Sequence, residues 1–169
     1  MQLFRGFRLF MESVGASSLI SVYIDSSSWN RLYDDHAQDR IRKEARAVED
    51  IISLIRDDQI RLIFSQALQE EMSRHPDIAY GAMHLAKEFI SRTPEIDHRG
   101  VQLHNKGMGL YDALHVASAE AGGADVLLTS DDRMIRKARS LGVHVRLENP
   151  VEWLKASGLA KRAAALHHL

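Results

Sequence analysis

The sequence has 169 residues and no cysteine, and its 23 acidic residues nearly balance its 22 lysines and arginines. This length fits one domain with a real hydrophobic core, and 45% hydrophobic with 27% charged residues is an ordinary globular composition. The absence of cysteine excludes disulfides, thiolate metal sites and cysteine nucleophiles. With a net charge of only −1, any affinity for nucleic acid must come from a local patch.

The first twenty residues are predicted to be an N-terminal extension. They contain two arginines, apolar residues and a run of small residues, a combination that weakly suggests a signal peptide. Glu12 and Ser13 interrupt the apolar stretch, which favours an extension instead. No apolar run in the chain reaches the roughly 18 residues that span a membrane. We therefore expect no membrane association, and the lack of cysteine fits a cytoplasmic protein.

The first half of the chain alternates between strand and helix patterns. Residues 21–25 have the β-branched, alternating pattern of a buried strand, and serines 26–28 offer N-caps for a helix through Trp29 and Leu32. Apolar residues at three- and four-residue steps predict a long helix over 38–56. The following predicted elements are a strand over 60–64, a helix over 66–74, a helix over 78–91, and a short strand or loop over 93–97.

The second half continues the alternation. Gly107 and Gly109 precede an apolar helix predicted over 111–121, which the pair Gly122-Gly123 ends. The remaining predicted elements are a strand over 125–129, a helix over 133–140, a strand over 143–147, a short helix from Pro150, and an Ala- and Leu-rich tail that is either helical or frayed.

This alternation predicts an α/β fold. Strands separated by helices form a mostly parallel sheet, here of four to five strands, with helices on both faces in three layers. We place one domain at residues 21–156 and a C-terminal tail at 157–169.

Acidic residues occupy the positions where such a sheet binds ligands. Ligands of open α/β sheets bind beyond the carboxyl ends of the strands. Asp25 ends the first strand, and Asp131 lies just beyond the third. One acid at such a position usually caps a helix, but two at equivalent ends point to a site. Asp112 adds a third acid, in the first turn of a strongly apolar helix where a carboxylate needs a partner.

Two pairs of adjacent acids leave the assignment open. Glu70 and Glu71 point about 100° apart on their helix, so at most one faces the site, and Glu71 is favoured because Leu68, three residues earlier, marks the apolar side. Asp131 and Asp132 are similarly adjacent.

Carboxylates without cysteine or clustered histidine suit Mg²⁺ or Mn²⁺, which can activate a water and neutralise a phosphate.

Four segments resemble the acidic motifs of PIN-domain nucleases. Residues 111–119 (YDALHVASA) and 124–134 (ADVLLTSDDRM) look like the third and fourth motifs, and residues 22–27 and 65–72 are similar to the first and second. The resemblance covers about residues 21–156 and implies a parallel sheet of about five strands. It also implies Mg²⁺- or Mn²⁺-dependent RNA hydrolysis by an activated water.

The resemblance also implies roles for particular residues. Asp25, Asp112 and Asp131 correspond to metal ligands, and Glu71 corresponds to the acid of the second motif. The hydroxyl positions that help to arrange such a site are Ser26 and Thr129. Glu70 and Asp132 are the alternative acids.

The expected function is therefore that of an endoribonuclease. Many such proteins are toxins of VapC-type toxin–antitoxin pairs, so the expected partners are RNA, an antitoxin protein and a second copy of the chain in a homodimer. One alternative is a catalytically inactive PIN-fold module that binds RNA or acts as a scaffold, which the presence of all four acids disfavours. A phosphohydrolase with an Asp-x-Asp nucleophile is also disfavoured, because Ser26 and Ser27 follow Asp25.

Two further groups of residues have both a functional and a structural interpretation. His115 lies on the apolar helix and is interpreted as a packed, hydrogen-bonded histidine rather than a catalytic one. Arg133, Arg136 and Arg139 recur every three residues, which is typical of a solvated helix face but would also place positive charge on an RNA backbone near Asp131.

Overall fold

The computed structural model describes residues 19–167, so the predicted extension lies almost entirely outside the described residues. The strands are β1 (Ser21–Ile24), β2 (Arg61–Ser65), β3 (Glu88–Ile90), β4 (Val126–Leu128) and β5 (Arg146–Glu148). The helices are α1 (Ser26–Asn30), α2 (Asp39–Arg56), α3 (Gln66–Glu71) followed by a 3₁₀ turn (Met72–Arg74), α4 (Pro76–Leu85), α5 (Pro94–Asn105), α6 (Leu110–Ala121), α7 (Asp132–Leu141), α8 (Pro150–Ala156) and α9 (Ala160–Leu166).

The five strands form one parallel sheet in the order β3-β2-β1-β4-β5. In the centre, Tyr23 of β1 is in register with Ile63 of β2 on one side and Leu127 of β4 on the other. All residues of β1 and β4 are buried, as expected of central parallel strands covered on both faces by helices. The predicted α/β class with a parallel sheet is confirmed. Because the strands are parallel, their carboxyl ends lie at one edge.

The long helix α2 supplies much of one covering layer. Its buried residues include Val48, Ile51 and Ile55, whose spacing of three and four residues places them on one face of the helix. Helices α8 and α9 pack against α2, and Ala163 of α9 is fully buried. The tail is therefore helical over most of its length, whereas the domain limits at 21 and 156 stay predictions. Within residues 19–167, no helix is both long and apolar enough to cross a membrane.

Two predictions in the middle of the chain were wrong. The helix predicted over 78–91 ends at Leu85, because Ala86 adopts an extended conformation, and the chain then forms β3. Phe89 of β3 pairs with Phe64 of β2 at an edge of the sheet. The segment 93–97 is neither strand nor loop but the start of α5, where the Thr93 hydroxyl accepts a hydrogen bond from the Ile96 amide. The last strand begins at Arg146, later than predicted.

Candidate active site

The topology brings the four predicted acids to the carboxyl edge of the sheet. Asp25 follows β1 directly, and Asp131 follows β4 after Thr129 and Ser130. Glu71 is the last residue of α3, which follows β2, and Asp112 lies in the first turn of α6. Because β1 lies between β2 and β4, Asp25 stands between the acids contributed by the two neighbouring strands.

Asp25 is a buried carboxylate held by hydroxyl and amide donors. Only 3% of its surface is exposed, and its Oδ1 accepts hydrogen bonds from the Ser28 amide at 3.0 Å and the Ser27 hydroxyl at 2.8 Å. Burial raises the pKa of Asp25, although a hydrogen bond from Thr129 acts in the opposite direction. The ionised carboxylate is therefore costly in this position, and a nearby cation would stabilise it.

Ser27 connects the two central strands at the site. Besides donating to Asp25, its hydroxyl oxygen accepts a hydrogen bond from the Ser130 amide at 3.0 Å and lies 3.2 Å from the Thr129 hydroxyl. Thr129 in turn accepts a hydrogen bond from the Asp131 amide at 3.1 Å. The ends of β1 and β4 are thus joined by hydroxyl groups that fix Asp25 relative to Asp131.

Glu71 is fixed by a chain of buried hydrogen bonds. Its Oε2 lies 2.7 Å from Nε2 of His115, and Nδ1 of the same ring lies 2.8 Å from the Tyr23 hydroxyl, which is 2.7 Å from the Ser65 hydroxyl. A carboxylate can only accept, so Nε2 carries the proton and, in a neutral ring, Nδ1 accepts from Tyr23. Burial acts to raise the pKa of Glu71, but His115 and a hydrogen bond from Ser26 outweigh it and lower the pKa. Glu71 is therefore ionised at neutral pH.

Asp112 lies within electrostatic range of the other three acids. Burial raises the pKa of its carboxyl; His115 opposes this shift, and the negative charges of Asp131, Asp25 and Glu71 add to it. The four predicted acids thus share one electrostatic neighbourhood. Oδ2 of Asp112 also lies so close to the backbone of Gly109 that a Cβ on that residue would approach it to 2.7 Å.

The structure also separates the two adjacent aspartates. Asp131 is the N-cap of α7, and its Oδ1 accepts hydrogen bonds from the amides of Arg133 at 2.7 Å and Met134 at 3.2 Å. Asp132 instead forms an ion pair with Arg40 at 2.7 Å and is 49% exposed. Arg40 therefore holds Asp132 away from the acids at the sheet edge.

The two adjacent glutamates are separated in the same way. Glu70 forms an ion pair with Arg92 at 2.9 Å and accepts a hydrogen bond from the Gln66 amide group at 3.0 Å. Glu71 contacts His115, in the apolar helix that also carries Asp112.

Several residues of the site were not predicted from the sequence. Ser27, rather than its neighbour Ser26, holds Asp25, while Ser26 interacts with Glu71. The sequence does not predict Tyr23 or Gly109 as site residues. His115 is packed and hydrogen-bonded as expected, and its partners are Glu71 and Tyr23. The alternation of β1 gives the only sequence signal for Tyr23, since that residue and Asp25 lie two positions apart on the same face of the strand.

The donor set fits a hard divalent cation. Among the described residues, no lysine or arginine forms an ion pair with Asp25, Asp112 or Asp131, so their charges lack a cationic partner. Within residues 19–167, no three His, Asp or Glu side chains are close enough together to hold a metal ion as arranged. A site with one or two carboxylates, completed by water and substrate phosphate, is nevertheless the usual way in which proteins bind Mg²⁺.

Two solved structures resemble this one. VapC20 from Mycobacterium tuberculosis, a toxin that cleaves the sarcin-ricin loop, has a TM-score of 0.49 and 14% identity, covering 72% of this chain and 95% of its own. PAE2754 from Pyrobaculum aerophilum has a TM-score of 0.50 and 17% identity, covering 86% of this chain and 90% of its own. At such identities, the likeness to PAE2754 shows a common fold. No curated protein sequence matches the chain.

The family comparison is more specific. The family model of the PIN domain matches residues 22–140, which is more than half of the chain. The matched segment includes all four acids at the carboxyl edge of the sheet, together with His115, Ser27 and Thr129. The chain therefore belongs to the PIN domain family.

Proposed function

We propose that this protein is a divalent-metal-dependent endoribonuclease whose active site is formed by Asp25, Glu71, Asp112 and Asp131. The observation that carries the proposal is the convergence of these carboxylates at the carboxyl edge of the sheet, where no lysine or arginine among residues 19–167 forms an ion pair with Asp25, Asp112 or Asp131. The negative charges of Asp131, Asp25 and Glu71 add to the effect of burial in raising the pKa of Asp112. Membership of a nuclease family adds the reaction class.

The residues divide into metal ligands and one residue, Glu71, that positions the attacking water. Asp25, Asp112 and Asp131 would supply the carboxylates for Mg²⁺ or Mn²⁺, with one or two of them contacting the ion directly and water completing its coordination. Ser27 and Thr129 hold the Asp25 carboxylate in place through hydrogen bonds. A bound divalent ion supplies a lowered pKa for attacking water and offsets the negative charge that develops on the phosphate. Asp131 would offer Oδ2 to the ion, because its Oδ1 already caps α7.

Glu71 orients the attacking water rather than acting as a strong base. Its pKa is lowered, so the carboxylate is ionised but has little affinity for an additional proton. The His115–Tyr23–Ser65 chain fixes the direction in which its free oxygen points. Glu71 therefore contributes by positioning the water, and correct positioning of reacting groups can increase a reaction rate greatly.

Single-stranded RNA is the proposed substrate, because the backbone of an unpaired strand can enter an open acidic site more readily than the backbone of a base-paired duplex. The motif resemblance extends the proposal to a toxin role, with an antitoxin partner, homodimer formation and a cytoplasmic location. The neighbouring reading frames test this extension. A small adjacent gene encoding a DNA-binding protein supports the toxin role, and its absence argues against it.

Carboxylate-to-amide variants test the site. Cleavage of a labelled single-stranded RNA is measured with Mg²⁺ or Mn²⁺, and with EDTA, for the wild type, Asp112→Asn and Glu71→Gln. The controls are Asp132→Asn and Glu70→Gln, which make the same chemical change in the adjacent residues.

Each site variant should lose more activity than the roughly 10–100-fold typical when an outer-shell partner of a metal site is removed. The controls should retain activity within a few-fold, because Asp132 and Glu70 are neutralised by ion pairs with Arg40 and Arg92 and are not proposed metal ligands. Equal losses in site and control variants, or full wild-type activity in EDTA, would contradict the proposal.

A further inference from the structure

A groove of about 550 Å³ runs from the candidate active site along the start of α7. Asp131 and Ser27 of the site are among the residues that line it. The other residues that line it are Arg31, Gln38, Arg40, Ile41, Ser130, Asp132, Arg133 and Arg136. Four of the lining residues are arginines, and its volume is within the range of ligand-binding clefts.

Two of these arginines are already neutralised within the fold. Arg31 forms ion pairs at 2.6 Å with Asp34 and with the buried Glu44. Arg40 pairs with Glu44 at 2.9 Å and with Asp132 at 2.7 Å. These ion pairs hold Arg31 and Arg40 in place along the groove, and acidic side chains balance the charge of both arginines.

The other two arginines have no such partner. Arg133 and Arg136 are exposed, and neither forms an ion pair within 4.0 Å of any acid among residues 19–167, although the charge of Arg136 contributes to lowering the pKa of Asp132. They lie three residues apart on α7, so their side chains are neighbours on one face of the helix. Since Asp131 caps the same helix, the two positive charges begin two residues beyond a proposed metal ligand.

Arg139 continues the spacing but faces elsewhere. It lines a different cavity, with Gly142, Val143 and Glu148. The same helix therefore presents two arginines beside the candidate site and one away from it. Arg133 and Arg136 therefore differ from Arg139 in lining the groove beside the candidate site, which a uniformly solvated helix face would not explain.

We propose that this groove binds the phosphate backbone of the RNA strand beside the bond that is cleaved, with Arg133 and Arg136 as the phosphate ligands. The proposal rests on the proposed ribonuclease function. Guanidinium groups form forked hydrogen bonds to phosphate, and partner-free arginines can make them without first breaking an ion pair. Among residues 19–167, no aromatic side chain lines the groove, so the described lining offers no surface for stacking bases. The groove therefore recognises the backbone, independently of base sequence.

The test measures RNA binding separately from cleavage. Binding of two labelled single-stranded RNAs of unrelated sequence is followed by fluorescence anisotropy in EDTA over a series of salt concentrations. The proteins are the wild type, the double variant Arg133→Gln/Arg136→Gln, and Arg139→Gln, which removes the same charge from the same helix. Melting temperatures of all three should agree, because the substituted side chains are exposed.

The double variant should bind both RNAs at least tenfold more weakly. Its dependence of log K on log salt should be shallower by about 1.4, since each single-strand phosphate contact contributes about 0.7. Arg139→Gln should bind within about twofold of the wild type. In cleavage assays with Mg²⁺, the double variant should show a raised KM with little change in kcat, as expected from the loss of uniform binding.

Unchanged binding by the double variant, or an equal loss in Arg139→Gln, overturns the groove proposal even if the wild type cleaves RNA. Weakened binding in the double variant alone supports the groove, even if no metal activates cleavage and the proposed function fails. A loss confined to one of the two RNA sequences also overturns the proposal, because it would indicate base recognition.

Discussion

Gly109→Ala should damage the active site without damaging the fold. Gly109 is the N-cap of α6, with φ −56° and ψ 150°, a conformation that alanine adopts without strain. The added Cβ, however, would lie 2.7 Å from Oδ2 and 3.3 Å from Cγ of Asp112. Ordinary contact begins at 3.4 Å, so the carboxylate must move by about 3.4 − 2.7 = 0.7 Å.

The size of this movement sets the expected loss of activity. Functional groups need to be held within about 0.5 Å of the productive geometry, and an error of about 1 Å costs on the order of 100-fold. We therefore expect kcat/KM for RNA to fall by about 10- to 100-fold. The unfolding free energy should change by less than about 1 kcal/mol, because the poorer N-cap and the smaller entropy of the unfolded chain act in opposite directions.

The assay combines RNA cleavage with urea denaturation of the same protein. Gly81→Ala is the matched control, because Gly81 is exposed within α4 and a Cβ there has no atom within 4 Å. It should leave cleavage unchanged and raise the unfolding free energy by about 0.5–1 kcal/mol. Activity of Gly109→Ala within twofold of the wild type, or a loss explained by global unfolding, would refute the reasoning.

Three further predictions concern the surroundings of the site. In EDTA at pH 7.5, Asp112→Asn should have an unfolding free energy equal to or above that of the wild type, because burial and neighbouring acids raise the Asp112 pKa. A raised pKa stabilises the wild type fully below the unfolded-state pKa, near pH 4, and this stabilisation is lost as pH rises through the folded-state pKa. The difference in unfolding free energy between the variant and the wild type should therefore shrink at lower pH. A large loss of unfolding free energy in the variant at pH 7.5 would instead indicate a structural role for Asp112. Tyr23→Phe should cost about 1–3 kcal/mol in the same assay, since it leaves Nδ1 of His115 buried without a partner, and RNA cleavage should fall too; unchanged stability and activity would show that the hydrogen-bond chain is unimportant. Glu44→Ala should lower the unfolding free energy by about 2–4 kcal/mol because the buried Glu44 carboxylate pairs with two arginines, and a loss below about 1 kcal/mol would count against that network.

The sheet edge was predictable from the sequence because it depends on local patterns. Strong periodicity marks both the strand that ends at Asp25 and the apolar helix that carries Asp112. In a parallel sheet, the carboxyl end of that strand and the start of that helix lie at the same edge. Strand β3 was not predictable in the same way. It has three residues, lies at the edge of the sheet and is only partly buried, so its alternation is weak, and the preceding residues continue a helical pattern. The start of α5 did carry a signal, Thr93 followed by Pro94, which is an N-cap and a first helical position.

The position of each acid relative to its neighbour depends on distant partners. Arg40 is 92 residues from Asp132 and Arg92 is 22 residues from Glu70, so no local pattern shows that these arginines pair with the acid of each pair that is not assigned to the site. The role of Ser27 was not predictable either, because its partners Ser130 and Thr129 lie about 100 residues away in the sequence. Serine runs after a strand indicate a cap, but not which hydroxyl reaches the neighbouring strand.

The most direct test of the account is the chemistry of the cleaved ends. If the carboxylates position a divalent ion and an attacking water, the ribose 2′-hydroxyl is not the nucleophile, and the products should carry a 5′-phosphate and a 3′-hydroxyl. Cleavage should also stop in EDTA and return on addition of Mn²⁺ or Mg²⁺. The measurement is end-group analysis of a single-stranded RNA cut by the wild-type protein, with Asp112→Asn as the inactive control. A 2′,3′-cyclic phosphate, or full activity in excess EDTA, would contradict the assignment of Asp25, Glu71, Asp112 and Asp131.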